Sequence, residues 1–459
     1  MPCVTRVTVL YPPLAEGDTG VVTYGDAAGG GPGVQVQPKA ERDVRFVVGV
    51  EGDRDGRALD LPDTRGFDVV PGPFAVLGLL TPVVAEAGKP FPVTLEARDR
   101  SGNVVPAVEG AVSLTAEGGD LKTDARRAFG AGGTGQASGK VTLTRTGVRL
   151  LKATCNGVAA EQSVVVSRSA QVADGAKPKA TAYQDGNTYV LGNAHVRLLV
   201  PRNDFGYGVA FLEAERGDQW KRVGAFPSLG ELRVGAQGKP AHRMPVWLSE
   251  AKPGSATDAA QLVLSGAVEA AGVQWDLSVL CVLSDGAKHV DLHCTATPKA
   301  DAKLRAFYAP PFYAGDGSFG AAKATALFPG LEYLTADEVS SGDYGIVPPF
   351  SDRQVPHPYK VTMPMVAVAD GDVCAAVFWD PDQKWDGVHA CPSACFASPE
   401  RWENRASHLL ALFAPAELDG LPENARELPE PRAVVAGKPL RACLESASSG
   451  RRLGGRSSR

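Results

Sequence analysis

Val273-Gln-Trp-Asp-Leu-Ser-Val-Leu-Cys-Val-Leu283, followed six residues on by Val290-Asp-Leu-His-Cys-Thr-Ala296, reads as one antiparallel hairpin. Trp275, Leu277, Val279 and Cys281 occupy alternate positions, as do Val290, Leu292 and Cys294. A strand turns successive side chains to opposite faces, so each set covers one face and the pair reads as half-buried β-structure. The register that buries both sets puts Cys281 near Val290 and Cys294 near Leu277, and no disulfide between the two cysteines is expected. The other face of the second strand carries His289, Asp291 and His293. Imidazole and carboxylate on alternate residues suit zinc or manganese, and they equally suit a solvated polar face.

The same period recurs outward from this hairpin. Strand patterns run over 189–200, 209–213, 261–268, 360–368 and 373–379, and long 3.6-residue periods are nearly absent. With 52 Gly and 35 Pro, the chain reads as many short strands joined by turns. The expected class is all-β: two small β-sandwich modules followed by a large antiparallel β-supersandwich. The expected boundaries are a small β module at 1–71, an immunoglobulin-like sandwich at 72–168, a polar linker at 169–186, the large β domain at 187–423 and a tail at 424–459. Asn156-Gly157 between two apolar alternations marks a tight hairpin in the second module. Glu51-Gly-Asp-Arg-Asp-Gly56 lacks the distal carboxylate of a calcium loop and reads as a turn.

Composition narrows the partners. A net charge of −5, from 47 basic and 52 acidic residues that are interspersed, offers no field for nucleic acid. No run of 18 apolar residues is present, so no helical membrane span is expected, and the first residues lack the apolar core of a secretory signal. Eight cysteines are too few and too scattered for a disulfide scaffold. The close pair Cys391 and Cys395 is read as two buried thiols, rather than as a small disulfide or, with Cys374, as half of a metal site. No phosphate loop, nucleophile elbow or His-Glu-x-x-His sequence occurs, and no cofactor is expected.

Residues 305–350 hold Phe307, Tyr308, Phe312, Tyr313, Phe319, Phe328, Tyr333, Tyr344 and Phe350, interleaved with charged residues. Flat rings beside bidentate charges are what holds a saccharide, which offers a C–H face and a rim of hydroxyls. Arg305, Tyr308, Tyr313, Tyr333 and Arg353, with Trp385 on a neighbouring acidic loop, are therefore the expected substrate-binding residues. Residues 309–320 carry enough Pro and Gly to be read as a functional loop rather than a central strand. A general base and acid working on a sugar ring would come from Glu332, Asp352 and His357.

Gly88-Lys-Pro-Phe-Pro-Val-Thr-Leu-Glu-Ala-Arg-Asp-Arg-Ser-Gly-Asn103 resembles the bacterial immunoglobulin-like domains. Ala326-Leu-Phe-Pro-Gly-Leu-Glu-Tyr-Leu334, with Pro356-His-Pro-Tyr359, Met363-Pro-Met365 and Phe378-Trp-Asp-Pro381, resembles the galactose-mutarotase-like supersandwich of bacterial carbohydrate-active proteins, over about 190–420. That resemblance implies two broad stacked sheets, the concave one receiving a saccharide. In glucoamylase-like and maltose-phosphorylase-like relatives a helical toroid follows and supplies the catalytic carboxylates. The sequence beyond 420 offers no toroid, and Gly450-Arg-Arg-Leu-Gly-Gly-Arg-Ser-Ser-Arg459 reads as a truncated or disordered tail. The expectation is a carbohydrate-binding scaffold that lacks a C-terminal catalytic domain; the chain itself indicates no localisation, and its relatives are expected to be secreted or at the cell surface. The alternatives are a mutarotase-like epimerase, a glycan lyase or hydrolase, and a structural cell-surface spacer.

Overall fold

A computed structural model of the chain describes most of residues 66–315. It also describes 323–328, 332–336, 338, 362–371, 373–386, 393–397, 408–415 and 432–449, and scattered short stretches between 17 and 60. Among the described residues every regular element is a β-strand. The chain divides into a unit Met1–Gly72 and a unit Pro73–Arg459. In the first, Glu41–Arg45 pairs antiparallel with Gly66–Val69 and Gly49–Val50 with Leu59–Asp60. The turn expected at 51–56 lies outside the described residues.

The second unit contains two cores. Residues 76–167 form a five-stranded and a four-stranded sheet closing on Leu79, Leu95, Leu143, Leu151 and Val164, each fully buried. Asn156 and Gly157, at φ 49° and 80°, make the tight hairpin between Gly147–Cys155 and Val158–Ser167, because a turn with both central residues left-handed matches the strands' twist. The larger core lies in residues 181–449, between an eleven-stranded and a nine-stranded sheet.

The two cores meet along Val84–Glu86, which pairs parallel with Val165–Ser167. Val84 belongs to the larger core and its neighbour Ala85 to the smaller, so the two-residue period of one strand feeds both. Glu86 then reaches out of the strand. Its carboxylate accepts hydrogen bonds from Arg222 Nη1 at 2.9 Å, Lys89 Nζ at 2.8 Å and Ser169 Oγ at 2.5 Å. Nearby, Asn203 Oδ1 accepts from the Arg168 amide at 2.7 Å.

Three expectations about boundaries and register change. The stretch 169–186 is not linker throughout: Thr181–Asp185 is the edge strand of the larger sheet, paired with Thr188–Gly192, and the Ala180 amide donates to Asp285 Oδ1 at 2.7 Å. The large domain does not end at 423, and the described residues of the expected tail, 432–449, belong to it. Leu440–Ser449 lies inside the nine-stranded sheet, between His289–Pro298 and Val373–Phe378, with Ala442 and Leu444 in the core. The apolar alternation of Leu440, Ala442 and Leu444 reads as a short strand-like stretch beside an Arg-rich terminus, and nothing local ties it to the large domain.

The hairpin expected from the alternation at 273–296 is present, with its strands extended to Val273–Ser284 and His289–Pro298. Its register differs by two residues. Cys281 lies opposite Leu292 and Cys294 opposite Val279. A two-residue Asp285-Gly286 turn would give the expected register, whereas the observed loop is longer, with the Ala287 amide donating to Ser284 O at 3.2 Å. A slip of two keeps every side chain on its face, so the burial pattern cannot detect it. Cys281 and Cys294 remain free thiols.

Candidate functional site on the larger sheet

The Pro- and Gly-rich stretch after residue 305 is not a loop at its start. Ala306–Tyr308 and Phe312–Ala314 are short central strands, and both pair with His408–Pro415. Between them Ala309-Pro310-Pro311 faces only two residues of that partner, because Tyr308 pairs with Phe413 and Phe312 with Leu410. Proline cannot donate to a ladder, so the two prolines sit in this one-residue bulge and the strand changes neighbours across it. Before the bulge it pairs with Glu231–Val234, and after it with Gln219–Phe226. Close approach here depends on Gly224: a Cβ at that position would lie 2.4 Å from the Phe312 ring.

This geometry sorts the aromatic residues. Phe307 and Phe312 are 1% and 0% exposed and lie on one face, where Phe312 packs on Phe226 with ring centroids 4.9 Å apart. The pairing of Tyr308 and Tyr313 with Phe413 and Leu409, four residues apart on one strand, puts both tyrosines on the opposite face. Glu231 lies directly across from Tyr308, and Arg233 two residues further on. Arg233 Nε donates to Glu231 Oε1 at 2.5 Å, and its guanidinium carbon sits 3.9 Å from the centre of the Tyr308 ring. Arg233, Glu231, Tyr308 and Tyr313 are all buried.

Burial is the largest single influence on Arg233 and favours its neutral form, yet Tyr308 and Glu231 outweigh it and raise its pKa above the usual value. The cluster is thus a fixed cation with an acceptor carboxylate and an aromatic wall. Further along the same sheet, Arg197 Nε donates to Glu213 Oε2 at 2.7 Å and the Arg222 guanidinium lies 3.8 Å from the centre of the Phe211 ring. Such groups can bind and orient a polar ligand; they do not make an acid–base pair.

The expected site residues therefore separate. Tyr308 and Tyr313 are buried at 4% rather than presented from an open loop, because their strands are central to the sheet. Tyr333, 66% exposed, belongs to the other sheet, on its edge strand Glu332–Thr335, so it does not join Tyr308. Trp385 is a core residue at 3%, not an exposed stacking ring, and its carbonyl accepts from the Arg441 amide at 2.6 Å. Arg305, Asp352, Arg353 and His357 lie outside the described residues, as do the Glu332 side chain and the side chains of Cys391 and Cys395. His289 and Asp291 stay together, whereas His293 Nδ1 turns to Cys443 Sγ at 3.2 Å.

Sequence reasoning missed Glu231 and Arg233. Their signal is two opposite charges at alternate positions of a strand whose other residues, Leu232 and Val234, are apolar. That pattern ordinarily marks a solvated face, and only the neighbouring strand reveals that it is buried.

No family model matches the chain, and no curated protein matches it. Among solved structures, the Slr1438 protein of Synechocystis is similar over 61% of this chain and 99% of its own, at 11% identity and a TM-score of 0.32. A TPR-domain containing protein from Parabacteroides distasonis is similar over 67% of this chain, which spans 50% of that protein, at 10% identity and a TM-score of 0.30. The Escherichia coli adhesin FdeC is similar over 81% of this chain and 98% of its own, at 14% identity and a TM-score of 0.17. At these scores the likenesses assign no activity to the chain.

Proposed function

We propose that the chain is a non-catalytic, carbohydrate-binding β scaffold whose saccharide contacts centre on Arg233, Glu231 and Tyr308. The observation that carries this reading is the placement of a desolvated ion pair under an aromatic ring. A buried ion pair contributes little stability relative to apolar residues of the same volume, so its retention is better explained by recognition. A guanidinium and a carboxylate answer the hydroxyls of a sugar, and the tyrosine ring its C–H face. Because these residues keep only 3–8% of their surface exposed, the ligand expected is a single residue or chain end rather than a long polymer lying on a platform.

Glycan arrays and calorimetry on the wild type, Glu231→Gln and Tyr308→Phe test this. Weak binding, at millimolar to micromolar Kd, or about 4–8 kcal/mol, is expected in the wild type and is reduced in both variants. Equal binding by all three proteins argues against the site. Robust mutarotation or glycan cleavage by the wild type would instead favour the epimerase or hydrolase alternative.

A second reading, a rigid spacer, is favoured by the Glu86–Arg222 contact that ties the immunoglobulin-like module to the large domain. It predicts that Glu86→Gln loosens the pair, measurable as a larger radius of gyration by small-angle scattering.

A further inference from the structure

We propose that His289, Asp291 and Glu445 form a binding site for a divalent transition-metal ion, of the class of zinc or cobalt, on the solvent face of the nine-stranded sheet. The proposal is independent of the saccharide reading and concerns the other sheet. Of the His289–Asp291–His293 set that the sequence offered, two members remain. The third comes from a strand about 150 residues further along the chain.

One donor atom from each residue lies within 4.8 Å of the others. His289 Nε2 is 3.5 Å from Asp291 Oδ1 and 3.9 Å from Glu445 Oε2. A tetrahedral ion with bonds of about 2.1 Å holds its ligand atoms about 3.4 Å apart, so small side-chain rotations close the set. The backbone is already fixed. Asp291 is directly opposite Glu445 in an antiparallel ladder, and His289 projects from the same face two residues earlier. Both strands are interior to the sheet, with neighbours on each side, which holds the three Cβ positions in place.

Electrostatics points the same way. Two carboxylates directly opposite on adjacent strands repel each other. Among the described residues, the ion-pair contacts of Asp291 and Glu445 run to His289 alone. A divalent cation placed between them converts that repulsion into ligation, and one imidazole with two carboxylates suits ions of borderline softness. The side chains are 41%, 28% and 52% exposed, which leaves room for water to complete the coordination. The next pair along the same face, His293 and Cys443, is engaged with itself through the 3.2 Å Nδ1 to Sγ contact and is not part of the set.

Cobalt is the probe, because its visible absorption reports coordination and a thiolate ligand would add a charge-transfer band. The full-length chain, stripped with chelator, is titrated with cobalt and by calorimetry with zinc. The expected result is one equivalent bound without a thiolate band. His289→Gln, Asp291→Asn and Glu445→Gln should each weaken binding about tenfold or more, while His293→Gln and Cys443→Ser leave it unchanged. Zinc near the wild-type Kd should also raise the melting temperature of the wild type more than that of Glu445→Gln, a near-isosteric surface change. Absence of a one-equivalent phase overturns the proposal. So does binding that survives all three substitutions, or a thiolate band that disappears with Cys443→Ser.

Discussion

The side-chain amide of Gln383 takes the place of a β-strand beside Cys443. Its Nε2 donates to Cys443 O at 2.9 Å and its Oε1 accepts from the Cys443 amide at 2.8 Å. Val373–Phe378 pairs with residues 445–449 and then leaves the sheet, so Cys443 would otherwise have one side of its backbone unpaired. Removing the amide leaves a donor and an acceptor without partners, at about 1–3 kcal/mol. Gln383→Ala should lower stability by that order in denaturant titration, with an unchanged m-value. Gln383→Glu keeps the acceptor and loses the donor, and should fall between the two.

Glu86 gives a pH dependence of definite sign. Burial pushes its pKa up as the largest single influence, but Lys89, Ser169 and Arg222 together bring it down to about 2 from an ordinary 4.5. A depressed carboxylate contributes its stability above its unfolded pKa and loses it as pH falls through the folded one. The melting-temperature difference between wild type and Glu86→Gln should therefore be full above about pH 5, shrink through pH 4 and 3, and be lost only below about pH 2. A difference that grows on acidification would contradict the assignment.

Gly224→Ala should be among the most damaging single changes in the large domain. The new Cβ meets the Phe312 ring at 2.4 Å and the Tyr313 carbonyl at 2.7 Å, and the backbone atom cannot rotate away. Overpacking of this kind costs about 1–3 kcal/mol or more. Thermal unfolding followed by near-ultraviolet circular dichroism measures it.

Truncation after residue 431 should prevent the large domain from folding. It removes Leu440–Ser449, whose pairings reach His289–Pro298 on one side and Val373–Phe378 on the other, and splits the sheet. The 73–168 sandwich keeps its own core, so proteolysis of the truncated chain should leave a resistant fragment of that size. A soluble truncated protein with native near-ultraviolet dichroism would contradict this role.

Alternation at Trp275, Leu277 and Val279, the turn at Asn156-Gly157 and the abundance of Gly and Pro determine the all-β class, because a strand's period and a left-handed turn are local properties. The sequence likewise marked Tyr308 and Tyr313, and His289 with Asp291, as residues worth locating. Tertiary structure alone decided the rest. A two-residue slip leaves every face unchanged, so the register at Cys281 is set by the loop after Ser284 and not by the burial pattern. Pro310 and Pro311 read as a loop, and only their shared partner strand shows them as a bulge in a central one. Glu445 meets Asp291, and Arg233 meets Tyr308, across about 150 and 75 residues of chain. Those meetings are set by which strands pair, a long-range choice that burial of the whole core determines and that no local pattern encodes.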